Sequence, residues 1–154
     1  MLTELRAGAE AARRALFAQA VDHHKAGRLG LAAALYRALL ALGCADAAVT
    51  GNLELLLNQV LAAAVGRLEA GDPGETAGLA RWALEQRPGR DDAWRLLAMA
   101  ERRQERPEAA AAALARALTL APGVAEGHAE AGRQAERSGT ADGSTAEAAA
   151  RHWR

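Results

Sequence analysis

Apolar positions recur along this chain at intervals of three and four, punctuated by glycine and proline. Leu2, Leu5, Ala9, Ala12, Leu16, Ala20 and His23 form one stripe, while Arg6, Glu10, Arg13 and Arg14 fall largely on the other side. That period predicts a helix over 2 to about 26, closed at Gly27. Leu31, Leu35, Leu39 and Leu42 predict a second helix, ended by Gly43. Residues 43–51 read as irregular, with a short helical turn at 45–49. From about Asn52 to Ala70 there are two stripes, Leu53, Leu56, Val60, Ala64 and Arg67 beside Leu57, Leu61, Val65 and Leu68. Two apolar stripes predict a helix buried on two faces.

Asp72-Pro73-Gly74-Glu75 predicts the next helix start. Asp72 suits a cap, Pro73 the first turn, and Glu75 the carboxylate position of a capping box. That helix runs to about Gln86 and stops at Arg87-Pro88-Gly89. Two further amphipathic stretches, about Asp91–Glu105 and Pro107–Leu120, join at Arg106-Pro107 and close at Pro122-Gly123. A polar helix is expected over 124–138, with a weak inner face of Ala125, His128, Ala129, Gly132 and Ala135. A linker follows, and then a short helix from Ser144 to near Trp153.

The pattern repeats. Pro88 and Pro122 are 34 residues apart, as are Ala83 and Ala117, Ala80 and Leu114, and Gly71 and Glu105. Paired helices at that period are the signature of the tetratricopeptide repeat, and the stretch 91–122 resembles one unit of it. Trp94, Leu97 and Ala98 match the family's opening motif with Ala for Gly. Ala110, Leu114, Ala117 and Pro122 follow in register. Glu101 departs, standing where an aromatic is usual, and Leu114 replaces Phe. The unit before it keeps Gly71, Asp72, Ala80, Ala83 and Pro88. The first unit is recognisable through Gly27, Arg28, Leu29, Ala32, Tyr36 and Leu40. The resemblance implies an all-α fold, a short right-handed α-solenoid of antiparallel helix pairs over residues 1–138. Its units are about 13–46, 57–90 and 91–124, with 124–138 as a capping helix and 139–154 as a flexible linker and short tail helix.

In that family the first helix of each pair lines a concave groove. Carried onto this sequence, the first unit offers Phe17, Val21 and His24. The second offers Asn58, Leu61, Val65 and Leu68, although Leu61 and Val65 serve equally well as core. The third offers Arg95, Met99, Arg102 and Arg103. Such a groove is mostly apolar with a basic end, suited to an amphipathic helix or an extended apolar peptide bearing an acid. Chaperone-binding members of the family clamp a C-terminal carboxylate with Lys and Asn. Phe17 and Val21 stand at those places here, so that activity is not expected.

Composition narrows the classes. The 154 residues suit one domain able to bury about 70% of its extended surface. Aromatics are 3% and the 51% apolar share is rich in alanine, the strongest helix former. Nineteen basic and nineteen acidic residues cancel, which argues against duplex nucleic acid and a polybasic membrane anchor. Scarce aromatics argue against RNA. Cys44 is the single cysteine, so no intrachain disulfide is possible. With no leader and no run of eighteen apolar residues, a soluble cytoplasmic chain is expected.

Candidate chemistry is sparse. His23 and His24 are adjacent and diverge by about 100° on a helix. His128 and His152 lie far off, and Cys44 stands alone, without metal-ligand spacing. No catalytic, metal or cofactor-binding residue is expected. The reading is a non-catalytic scaffold or adaptor that grips a protein or peptide, with homo-oligomers possible. The alternative is a substrate-positioning module or subunit of a bacterial enzyme. The stretch His24–Arg37 is similar to bacterial repeats that precede glycosyltransferase or sulfotransferase domains, although the polar helix and tail favour a chain that ends here.

Overall fold

A computed structural model describes residues 1–123. The expected capping helix at 124–138 and the tail, with His128, His152 and Trp153, lie outside the described residues. Six helices occupy what is described, with no strand among them. They are α1 (Leu2–Lys25), α2 (Leu29–Ala41), α3 (Ala47–Glu69), α4 (Pro73–Gln86), α5 (Asp91–Arg103) and α6 (Pro107–Leu120). Neighbouring helices pack in chain order, α1 on α2, α4 on α5 and α5 on α6.

The chain forms two compact units, Met1–Ala63 and a second beginning at Ala64, so the division falls within α3. In the first unit, Ala20 of α1 and Ala32 and Ala33 of α2 are buried, and their small side chains let the two helices approach closely. Tyr36 is fully buried, and the Phe17 ring stands tilted against it, centroids 6.3 Å apart. Residues 2–15 of α1 are all exposed, including Leu2 and Leu5.

The second unit is held by alanine at short intervals. Ala77, Ala80 and Ala83 of α4, Ala93 and Ala100 of α5, and Ala110, Ala113 and Ala117 of α6 are all buried. Leu84, Leu96 and Leu97 add the bulk. Thr76, also fully buried, has its hydroxyl 3.1 Å from the Ala64 carbonyl and 3.0 Å from that of Asp72, either of which accepts its proton. The buried hydroxyl therefore keeps a partner, as it must to avoid a desolvation cost.

Four helices end by one device. The N–H of Arg28 reaches back to the His23 carbonyl, Cys44 to Leu39, Asp72 to Arg67 and Arg106 to Glu101, each at 2.9 Å. The residue before each donor has positive φ. It is glycine at Gly27, Gly43 and Gly71, but at Glu105 a side chain is carried through φ 59°. Asp72 then caps α4, its Oδ1 accepting from the Glu75 N–H at 3.1 Å, with Pro73 in the first turn. The Asp72 N–H is already committed to Arg67, so the capping box is not reciprocal.

The start of α3 departs from the reading of 43–51 as irregular. The helix begins at Ala47 and runs unbroken through Gly51. Asp46 makes this possible, its Oδ1 accepting from the Val49 N–H at 2.9 Å. α3 is also long and apolar enough to cross a membrane, by length and composition alone. Its Leu53, Leu56 and Leu57 are fully buried.

Candidate functional site

The cleft between α5 and α6 has a volume of about 310 Å³. α5 supplies Arg95, Ala98, Met99 and Arg102 to it, and α6 supplies Pro107, Ala110, Ala111 and Leu114. Three of the four groove positions expected in this unit therefore meet in one cavity. They do so because 95, 99 and 102 are spaced four and three apart, on one face of a helix. Leu114, which stands where the repeat usually has Phe, is only half-buried and forms part of the wall.

Arg103 goes elsewhere. Its Nη1 donates to the Leu68 carbonyl at 2.6 Å, placing a cation on the C-terminal end of α3, where the helix dipole favours positive charge. Leu68 itself is buried, as is Leu61, at 3% and 7% exposure, whereas Val65 is 42% exposed and Asn58 is exposed. The second group of expected groove residues is thus divided between interior and surface.

In the first unit, Phe17 and His24 gather on Tyr36. His24 Nε2 lies 3.1 Å from Gln59 Oε1, and Nδ1 lies 3.4 Å from the Tyr36 hydroxyl. A proton on Nε2 donates to Gln59 and leaves Nδ1 to accept from Tyr36. Burial pushes the Tyr36 phenol up from its ordinary range, against a hydrogen bond with the Asn52 side chain that acts the other way. Val21 is half-buried beside this group in sequence. A second cavity of about 370 Å³ has Phe17, Leu39 and Val49 on its apolar side. Glu10, Arg13, Arg14 and Asp46 bring both signs of charge to it, and Cys44 completes it.

Around the α5/α6 cleft the electrostatics are local. Arg90 holds the Asp92 carboxylate with both Nε, at 3.0 Å, and Nη2, at 2.7 Å. That bond keeps the Asp92 pKa below the usual carboxylate range, over the opposing effect of partial burial. The Ala93 N–H, at 2.9 Å from Oδ1, and the nearby Arg95 charge add to the lowering. Trp94 donates its indole N–H to the Pro88 carbonyl at 2.9 Å, and the Arg116 guanidinium lies 5.7 Å from the centroid of its ring.

Glu101 stands out in the sequence only as a departure from the repeat motif, and the structure gives it a role. It is 1% exposed, on the inner side of α5. Arg81 of α4 hydrogen-bonds its Oε1, and Arg106 Nη1 lies 3.7 Å from Oε2. The signal was present, since an acid stands in the register of Trp94, Leu97 and Ala98 where an apolar side chain is normal. A buried carboxylate in such a stripe calls for a cation, and two arginines provide it.

Among the described residues, no three His, Cys, Asp or Glu side chains converge as a metal site would require. No protein-family model, curated protein or solved structure matches the chain.

Proposed function

We propose that the chain is a non-catalytic interaction scaffold, a short array of tetratricopeptide-like helix pairs that takes an apolar segment of a protein partner in the α5/α6 cleft. One observation supports this above the others: Arg95, Met99 and Arg102, which the groove positions of the repeat pattern select, line a single cavity. Its volume of about 310 Å³ lies at the lower end of what small binding pockets offer, enough for a few side chains of a docked peptide. The lining is apolar apart from the two arginines, so desolvation supplies affinity and the cations supply orientation. The test is affinity capture from a bacterial lysate with wild-type and Met99→Glu proteins side by side. A partner held by the wild type and lost by the variant, with helical circular dichroism unchanged, is the expected outcome. A partner held equally by both removes the cleft from the interaction.

A further inference from the structure

Arg95, Met99 and Arg102 stand in line along α5 at the α5/α6 cleft. Seven residues of helix put the two arginines about 10.5 Å apart along the axis, with Met99 between them. No carboxylate lines the cleft. Arg95 leans on Asp91, one turn back on its own helix, at 3.1 Å. The Arg102 side chain is exposed and has no ion-pair or hydrogen-bond partner among the described residues. The facing wall of Pro107, Ala110 and Leu114 carries no charge at all. The site is therefore a cation, an apolar floor and a second cation at two-turn spacing, with no acid lining it to neutralise them.

Resting on the docking reading above, we propose that the cleft selects a partner helix with two carboxylates about two turns apart and a bulky apolar residue between them. In sequence terms the partner carries an acid at i, an apolar residue at i+3 or i+4, and an acid at i+7. The apolar side chain enters over Met99, where Ala98 and Ala110 leave room. The carboxylates meet Arg95 and Arg102, whose planar guanidinium groups suit two-point pairing. Arg95 gives up Asp91 in the exchange. That loss is small, because the pair is a partly exposed contact within one helix.

The test uses the full chain and labelled alanine-based helical peptides of about sixteen residues, long enough to hold a helix. One carries Glu, Leu and Glu at i, i+4 and i+7; a second replaces both Glu with Gln; a third replaces Leu with Ala. Fluorescence anisotropy is expected to show the first binding about tenfold more tightly than the second at low salt. The preference shrinks as salt screens the rim. Arg102→Gln, a change at an exposed position, is expected to reduce it to about twofold or less. Equal binding of the Glu and Gln peptides overturns the acidic selectivity while the docking reading stands. Failure of all three to bind overturns both. A wild-type dimer in sedimentation that becomes a monomer with Met99→Glu assigns the cleft to a second copy and overturns the proposal as well.

Discussion

Gly71 and Glu105 hold the same backbone conformation at the ends of two helices, φ 86° and φ 59°, one repeat period apart. Each precedes the residue whose N–H closes its helix. For glycine this conformation costs nothing in side-chain contact, whereas a residue with Cβ pays about 1 kcal/mol or more. Glu105→Gly is therefore expected to stabilise the second unit by about 0.5–1 kcal/mol, net of the flexibility glycine adds to the unfolded chain. Thermal unfolding followed by circular dichroism measures it, and a fall in midpoint would show that the Glu105 side chain earns its place by some other contact.

The Arg81–Glu101 pair is unequal in burial, and its two halves should respond differently to mutation. Glu101 is almost fully buried, while the Arg81 and Arg106 side chains are 52% and 60% exposed. Arg81→Ala leaves a buried carboxylate with only the more distant Arg106, at an expected cost of about 2 kcal/mol. Glu101→Leu leaves two arginines that can turn to water, and fills the site with carbon. Its cost is expected to be under about 1 kcal/mol, or even a gain. Urea denaturation of both variants and the double mutant checks the order; the reverse order would place the stabilisation with Glu101 itself.

Acid sensitivity should carry a contribution from Asp92. Its pKa is lowered in the folded state, chiefly by the Arg90 hydrogen bonds. A lowered folded pKa means the stabilisation is present above the unfolded value of about 3.9 and is lost as pH falls through the folded one. Asp92→Asn is expected to flatten the stability profile below about pH 4 and leave its slope near neutrality unchanged. Denaturation midpoints collected from pH 2 to 7 give the comparison. Tyr36 acts at the other extreme: its raised pKa leaves stability intact below about pH 10 and erodes it above.

Leu61 and Met99 separate fold from surface. Leu61 is 7% exposed, so Leu61→Glu buries an unpaired carboxylate and should cost several kcal/mol, enough to unfold a marginal domain. Met99 is half-buried on the cleft wall, and Met99→Glu should retain the native helical signal. Circular dichroism and urea titration distinguish the two. An unfolded Met99→Glu protein would place that side chain in the core.

Helix placement was largely legible because its determinants are local. Gly27, Gly43 and Gly71 close helices, Pro73 and Pro107 open them, and each acts within a few residues. The start of α3 was misread because Gly43 and Gly51 look like a broken stretch on either side of it. The Asp46 carboxylate overrides that by capping Val49, and one glycine inside a capped helix lowers stability without ending it. The cleft was legible at Arg95, Met99 and Arg102, which share a helix face. Arg103 was not, because its partner at Leu68 belongs to a different helix. Glu101 depends on Arg81, twenty residues earlier, and no local pattern announces that meeting.

The first fourteen residues of α1, 2–15, are exposed throughout, while its later turns include the buried Ala20 and the half-buried Phe17. A helix of that length in water is near the limit of what propensity alone sustains. The hydrogen bonds of residues 2–15 are thus opened by fraying from the end, at free energies near zero, while those around Ala20 open only when α2 lets go. One continuous helix therefore contains two regimes of amide protection, and the step between them falls at about Leu16, where the side chains of α1 first leave solvent.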